Sequence, residues 1–185
     1  MKVAIVIIDM LQDFFEEGYL KYKKDIIVKN VNELTKMGRR NHIPIIWVRQ
    51  EFKEDLSDAP LYNKKTGKKI TIEGTEGANF LGELIRENTD FEIMKKRYSA
   101  FFKTNLKYIL DKLESDTLII AGVNTMSCVR MSAIDAYQYD YKVIVGLDCI
   151  EAYDFEQHES TLKYLRHSIA ELKTNNEIQD FLKQS

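Results

Sequence analysis

The chain has 185 residues, 44% of them hydrophobic, which is the size of one compact domain with a single core rather than two. Its 27 basic and 29 acidic residues leave a formal net charge of -2, so no overall field draws it to nucleic acid or to an anionic membrane. A small-molecule partner fits that balance better, and a single domain over residues 1–185 is expected.

The N-terminus opens with Met1, Lys2 and the apolar run Val3 to Ile8, which Asp9 interrupts before it reaches the length of a signal-peptide core or a membrane span. Two cysteines, Cys128 and Cys149, make a sparse disulfide framework for a domain this large. With no export route visible, a reducing cytoplasm is the expected location.

Short β-branched runs alternate with longer stretches of helical periodicity, the pattern of βαβ units around a parallel sheet covered on both faces. The predicted strands are Val3 to Ile8, Pro44 to Val48, Phe91 to Met94, Thr117 to Gly122, Lys142 to Leu147 and Ser168 to Leu172. Between the first two, Ile27, Val31 and Leu34 fall at i, i+4 and i+7, the stripe of a helix packed on a sheet. Leu106, Ile109, Leu110 and Leu113 repeat it. Asp154 with Gln157 three residues later resembles a capping box, opening a helix to about Arg166 that turns Leu162 and Leu165 inward, and a short helix is expected from Asn175. Glu51 to Asn79 reads as one long irregular, polar stretch, of the kind that covers a site or meets another subunit.

Three places hold residues suited to chemistry. Asp9 follows an all-apolar strand at the carboxyl end, where open α/β sheets place their ligands, although Asp is also a favoured capping residue. Cys128 lies where a buried strand, through Gly122 to Ser127, passes into a helix with apolar positions Val129, Ala133, Ala136 and Tyr137. A thiol there meets the positive end of a helix dipole and free N–H groups, which favour the thiolate; the alternative is a small buried hydrophobe. Cys149 has no such setting and is assigned to the core. Lys95, Lys96 and Arg97 read either as a solvated charge run or, given the aromatic turn Tyr98 to Phe102 behind them, as a source of one inward cation. Strand alternation sends Lys95 and Lys96 to opposite sides, so at most one enters.

In order along the chain, Asp9 with Asp13 and Phe14, Lys95 with Arg97 to Phe101, and Gly122, Thr125, Cys128 and Val129 resemble the isochorismatase-like cysteine hydrolases over nearly the whole length. Asp148, Asp154, His158, Leu162 and Tyr164 also look like that family. The resemblance implies a three-layer α/β/α fold with a doubly wound, mostly parallel sheet of about six strands in the order 3-2-1-4-5-6. It implies Cys128 as nucleophile, Asp9 as its base, and Lys95 rather than Lys96 as charge partner, three positions ahead of Tyr98. It further implies a cis peptide at Val123 to Asn124 and an oxyanion hole from the backbone N–H groups of Asn124 and Cys128. Phe14, Trp47 and Tyr98 are expected substrate walls, and a homo-oligomer, dimer or tetramer, is the expected assembly.

The sequence also departs from relatives. Nicotinamidases of this superfamily hold a metal through an Asp and several His after the second strand, where this chain has Arg49, Gln50, Glu51 and Phe52. With only His42, His158 and His167 in the chain and no ligand spacing among them, no metal and no other cofactor is expected, and nicotinamide is disfavoured as substrate. Isochorismatases proper, which hydrolyse a vinyl ether, generally lack a cysteine at the position of Cys128. Its presence favours cleavage of a C–N bond in a small amide, ureide or carbamoyl compound. The alternatives are vinyl ether hydrolysis, to which Tyr153, Asp154 and His158 point, and a ligand-binding or thiol-redox protein on the same fold. A nucleotide-binding module is disfavoured, because no G-x-G-x-x-G follows the first strand. Met126, where many relatives have a polar residue, leaves the polarity of the pocket open.

Overall fold

The computed structural model of the chain describes residues 1–183. Six parallel strands form one sheet in the order β3-β2-β1-β4-β5-β6, with β1 spanning Val3–Ile8, β2 Ile45–Gln50, β3 Phe91–Lys95, β4 Thr117–Val123, β5 Lys142–Glu151 and β6 Glu171–Lys173. Helices α1 (Gly18–Arg40), α2 (Leu61–Thr66), α3 (Leu106–Lys112), α4 (Arg130–Gln138), α5 (Phe155–Ser168) and α6 (Asn175–Lys183) complete the chain. This is the doubly wound α/β architecture expected from the strand pattern, with the chain reversing direction across the sheet between β1 and β4.

Alternation along β1 builds two cores. Ala4, Val6 and Ile8 face a cluster containing Leu106 and Leu110 of α3, Ala133 and Ala136 of α4, and Leu165 of α5. Ile5 and Ile7 face the opposite cluster, with Ile27, Val31 and Leu34 of α1 and Ile178 of α6. A sheet covered on both faces explains why β1 and β4 read as continuous apolar runs rather than as alternating ones. The start of α5 is set as the sequence suggests: the Asp154 side chain accepts the Gln157 backbone N–H at 2.8 Å.

Beyond shifts of one or two residues at strand ends, three departures from expectation matter here. Ser168 closes α5, and the last strand begins only at Glu171. β5 runs on to Glu151, after a slip in register that pairs Ile120 with Val145 but Gly122 with Ile150; Cys149 therefore lies within a strand. The stretch 51–79 is not irregular throughout. It contains α2, a single turn at Glu76–Ala78, and its own apolar cluster of Phe52, Leu56, Ala59 and Ile72. No helix among the described residues is long and apolar enough to cross a membrane.

Candidate active site

The carboxyl ends of β1, β3 and β4 converge on three side chains. Asp9 follows β1, Lys95 is the last residue of β3, and Cys128 lies in a π-helical turn, Thr125–Val129, that carries the chain from β4 into α4. Lys95 Nζ lies 2.7 Å from Asp9 Oδ2 and 3.4 Å from Cys128 Sγ, and it donates to the carbonyl oxygen of Arg97 at 3.1 Å. An ammonium has three protons, and each of these has a partner. Asp9 and Lys95 are 0% exposed and Cys128 is 3% exposed, so the charges interact with little screening by water.

Local backbone features allow this approach. Gly122, in β4, has a φ of +105°, and a Cβ there would collide with the backbone of Ile8. A glycine thus lets β4 lie against β1 where Asp9 and the Cys128 turn emerge. Asp9 itself takes the left-handed region at φ 52°, its N–H bonded to Val48 O at 2.8 Å. The Val123–Asn124 peptide is cis. Beyond it, the Asn124 carbonyl accepts the N–H groups of Ser127 and Val129, on either side of Cys128. Ser132 ties the turn to the aromatic segment: its hydroxyl donates to Cys128 O at 2.7 Å and accepts the Ala100 N–H at 2.9 Å.

Burial dominates the proton equilibria. It pushes the Asp9 carboxyl above its ordinary value, against the opposing pull of the Lys95 ammonium. The Lys95 ammonium 2.7 Å from Oδ2, together with the Cys128 thiol and the Gln50 N–H, favours the Asp9 anion against that burial. For Lys95, burial opposes the charge, but Asp9 and Cys128 more than compensate and hold the ammonium above its usual range. Burial, with the Asp9 charge adding to it, pushes the Cys128 thiol up to about 12 despite Lys95. This corrects the expectation of a favoured thiolate: the helix-end effect is worth ~0.3–1 kcal/mol and is outweighed by desolvation.

The structure separates the other expected site residues. Lys96 points away and pairs with Asp58 at 2.9 Å. Tyr98 stands half-exposed in the turn after Lys95. Trp47 is not brought to the group. It is fully buried in the cluster on the α1 side of the sheet, its Nε1 donating to Asp90 Oδ2 at 2.8 Å, whereas Cys128 packs in the cluster on the α4 side. Phe14 belongs to the same cluster as Trp47, in the single turn Gln12–Phe15 after Asp9. Met126 is partly exposed in the Cys128 turn. His158 is buried, with Nδ1 3.1 Å from Thr125 Oγ1. The sequence assigned no role to Thr125, Glu151 or Ser132; the only available signal was that Thr125 and His158 belonged to the resemblance.

After β2, where the nicotinamidase pattern calls for metal ligands, Gln50 donates to Thr71 Oγ1 at 3.3 Å, Arg49 pairs with Glu51, and Phe52 is buried with Leu56, Ala59 and Ile72. An amide, a paired carboxylate and an apolar ring do not supply the nitrogen and carboxylate set that such an ion takes. Among the described residues no group of three or more His, Cys, Asp or Glu side chains is placed to hold one.

The Isochorismatase domain model matches residues 3–177. The chain belongs to the isochorismatase family. An Arabidopsis thaliana relative named a probable inactive nicotinamidase is 36% identical over 167 residues, covering 86% of this chain and 85% of its own. The maleamate amidohydrolase of Pseudomonas putida is 26% identical over 165 residues, 87% and 78% of the two chains. Among solved structures, an isochorismatase family protein from Desulfovibrio vulgaris superimposes with a TM-score of 0.87 at 26% identity, covering 98% of each chain. This isochorismatase-family chain is accordingly a hydrolase.

Proposed function

We propose that this chain is a cysteine-dependent hydrolase that cleaves the C–N bond of a small amide, ureide or carbamoyl compound through a thioester. The observation that carries the reading is a buried ammonium, Lys95, set between a carboxylate, Asp9, and a thiol, Cys128. Asp9 takes the proton of Cys128 as the sulfur attacks the carbonyl carbon. The carbonyl electron pair moves onto oxygen, where the N–H groups of Asn124 and Cys128 receive it. The tetrahedral species collapses, the C–N bond breaks, and protonated Asp9 returns its proton to the departing amine or ammonia. A water that loses a proton to Asp9 then hydrolyses the thioester, and the released sulfur is reprotonated.

The electrostatics suit that sequence. Burial holds the thiol well above its ordinary value, so the protonated form dominates at neutral pH and deprotonation accompanies attack. Transfer from sulfur to Asp9 leaves the net charge of the three groups unchanged, and a carboxylate made more basic by burial narrows the gap to the thiol. The similarity to a maleamate amidohydrolase supports the C–N class. The Gln50 and Phe52 replacements weigh against nicotinamide, in keeping with a relative named a probable inactive nicotinamidase.

Ammonia release should be measured across ureides, carbamoyl amino acids, biuret, maleamate and nicotinamide, and isochorismate hydrolysis beside them, with wild type and Cys128→Ser, before and after dialysis against a strong chelator. Release from at least one compound other than nicotinamide is expected, lost in Cys128→Ser and unchanged by the chelator. Turnover of isochorismate without any ammonia release would overturn the C–N reading, and activity abolished by chelation and restored by zinc would overturn the metal-free step.

A further inference from the structure

The turn that carries Cys128 is gripped from below by groups that no step above uses. Thr125, the first residue of the turn, is fully buried, with Oγ1 3.1 Å from His158 Nδ1 on α5. The same nitrogen lies 3.3 Å from Glu151 Oε1. Glu151 is the last residue of β5, in register with Val123, and its Oε1 also accepts the Ala152 N–H at 3.1 Å. The turn after β4, the end of β5 and α5 therefore meet at one ring nitrogen, Nδ1 of His158. That nitrogen has two oxygens within reach, the Thr125 hydroxyl and the Glu151 carboxylate, and a proton on Nδ1 is the arrangement that satisfies both.

A buried threonine needs one partner, and a backbone carbonyl or a water serves that need. An imidazole and a carboxylate side chain, 10% and 13% exposed, are a costly way to provide it unless the position of the hydroxyl matters. It matters because Thr125 follows Asn124 directly and stands three residues before Cys128. A shift of Thr125 displaces both of the N–H groups assigned above to the oxyanion and the sulfur with them.

We propose that His158, oriented by Glu151, is a positioning residue that holds Thr125 and, through it, the nucleophile's turn in register with Asp9 and Lys95. The kinetic consequences rest on the C–N hydrolysis reading, while the structural one does not. The test uses the full chain with His158→Leu, Thr125→Val, their double variant, and His158→Asn, whose amide nitrogen falls near the place of Nδ1. On the best substrate of the panel, His158→Leu and Thr125→Val should each lower kcat by about tenfold or more with KM held within about twofold, since an oxyanion donor displaced by a fraction of an ångström fails in the transition state first. The double variant should be no slower than the slower single variant, and His158→Asn should recover part of the rate. Backbone hydrogen exchange gives a readout free of any substrate. The peptide spanning 124–130 should exchange faster in His158→Leu and Thr125→Val, with the rest of the sheet protected as in wild type.

Wild-type kcat and exchange in either single variant, losses that multiply in the double variant, or exchange that rises across β5 and α5 alike would overturn the proposal. If His158→Leu does not fold, Thr125→Val and His158→Asn decide it by the same readouts. If the wild type hydrolyses nothing in the panel, the C–N reading fails by itself. Exchange at 124–130 then still decides the positioning role, local loosening supporting it and unchanged protection overturning it.

Discussion

Cys128 and Cys149 are the two thiols of the chain, and they differ in what surrounds them. Both are buried thiols near the carboxyl ends of neighbouring strands, and in both burial pushes the thiol well above its ordinary value. Around Cys149 the hydrogen-bond partner is a neutral amide, and the nearby Asp148 carboxylate adds to burial in disfavouring the thiolate. Its thiol donates to Asn175 Oδ1 at 3.2 Å, and Asn175 in turn donates to Asn30 O at 3.0 Å and takes its own N–H to Asp148, tying α6 to α1 and β5. Around Cys128 the partners are a carboxylate that can take a proton and an ammonium that can neutralise the sulfur left behind. Burial alone makes a thiol inert, and a proton acceptor paired with a fixed cation is what makes the proton able to leave when a substrate demands it.

Exchanging each sulfur tests the contrast most severely. Cys128→Ser should lower turnover by about 10³-fold or more while leaving Tm near wild type, because serine is far less acidic in the same position. Cys149→Ala should keep kcat but lose about 1–3 kcal/mol in denaturant unfolding, from the lost hydrogen bond and packing. Comparable loss of activity from both substitutions would erase the distinction.

The cations supply a second, smaller test. Lys95→Ala leaves Asp9 buried without its ion pair, so turnover should fall by about 10²-fold or more and stability by about 3–5 kcal/mol. Lys96→Ala removes only a partly exposed pair with Asp58 and should stay within about 0.5 kcal/mol in stability, with activity near wild type. Equal effects from the two lysines would break the assignment.

The smallest effect is one of pH. Because the Cys128 thiol stands at about 12, its alkylation by iodoacetamide should rise about tenfold per unit between pH 7 and 9, with no plateau, while native Cys149 stays unlabelled. The same raised value adds stability below the pKa of an unfolded cysteine, near 8.5, and that contribution is lost as pH climbs toward 12, since the unfolded chain releases the proton first. Cys128→Ala should therefore lose less Tm than wild type between pH 8 and 10. A labelling rate that levels off below pH 8 would mean a thiolate at rest.

How far these features were legible depended on whether their causes were local. Asp9 and Cys128 stand at the ends of uninterrupted apolar strands; strand alternation allows only one of Lys95 and Lys96 inward, and it is the family resemblance, through the offset from Tyr98, that picks Lys95. The direction of the Cys128 shift was not legible, because a helix end is visible in sequence but the burial that outweighs it comes from strands and helices distant along the chain. Trp47 is an aromatic near a site in one dimension and a core residue in three, its indole committed to Asp90. β5 was cut short at Leu147 because Asp148 breaks the apolar run, while the register slip lets the strand continue past it. The Thr125, Glu151 and His158 contact joins residues from three elements, with no periodicity to announce it.

The cluster of Phe52, Leu56, Ala59 and Ile72 has a consequence for how such a protein diversifies. The segment that contains it carries apolar packing of its own and is also bonded to the strand ends that bear the candidate site: Thr71 takes the Gln50 side chain on its hydroxyl and gives its N–H to Asp13, while Asp58 holds Lys96 and Arg97, the two residues directly after Lys95. Exposed positions of the segment can therefore vary freely, whereas a change at Asp58 or Thr71 reaches the backbone that sets Lys95 and Gln50 in place.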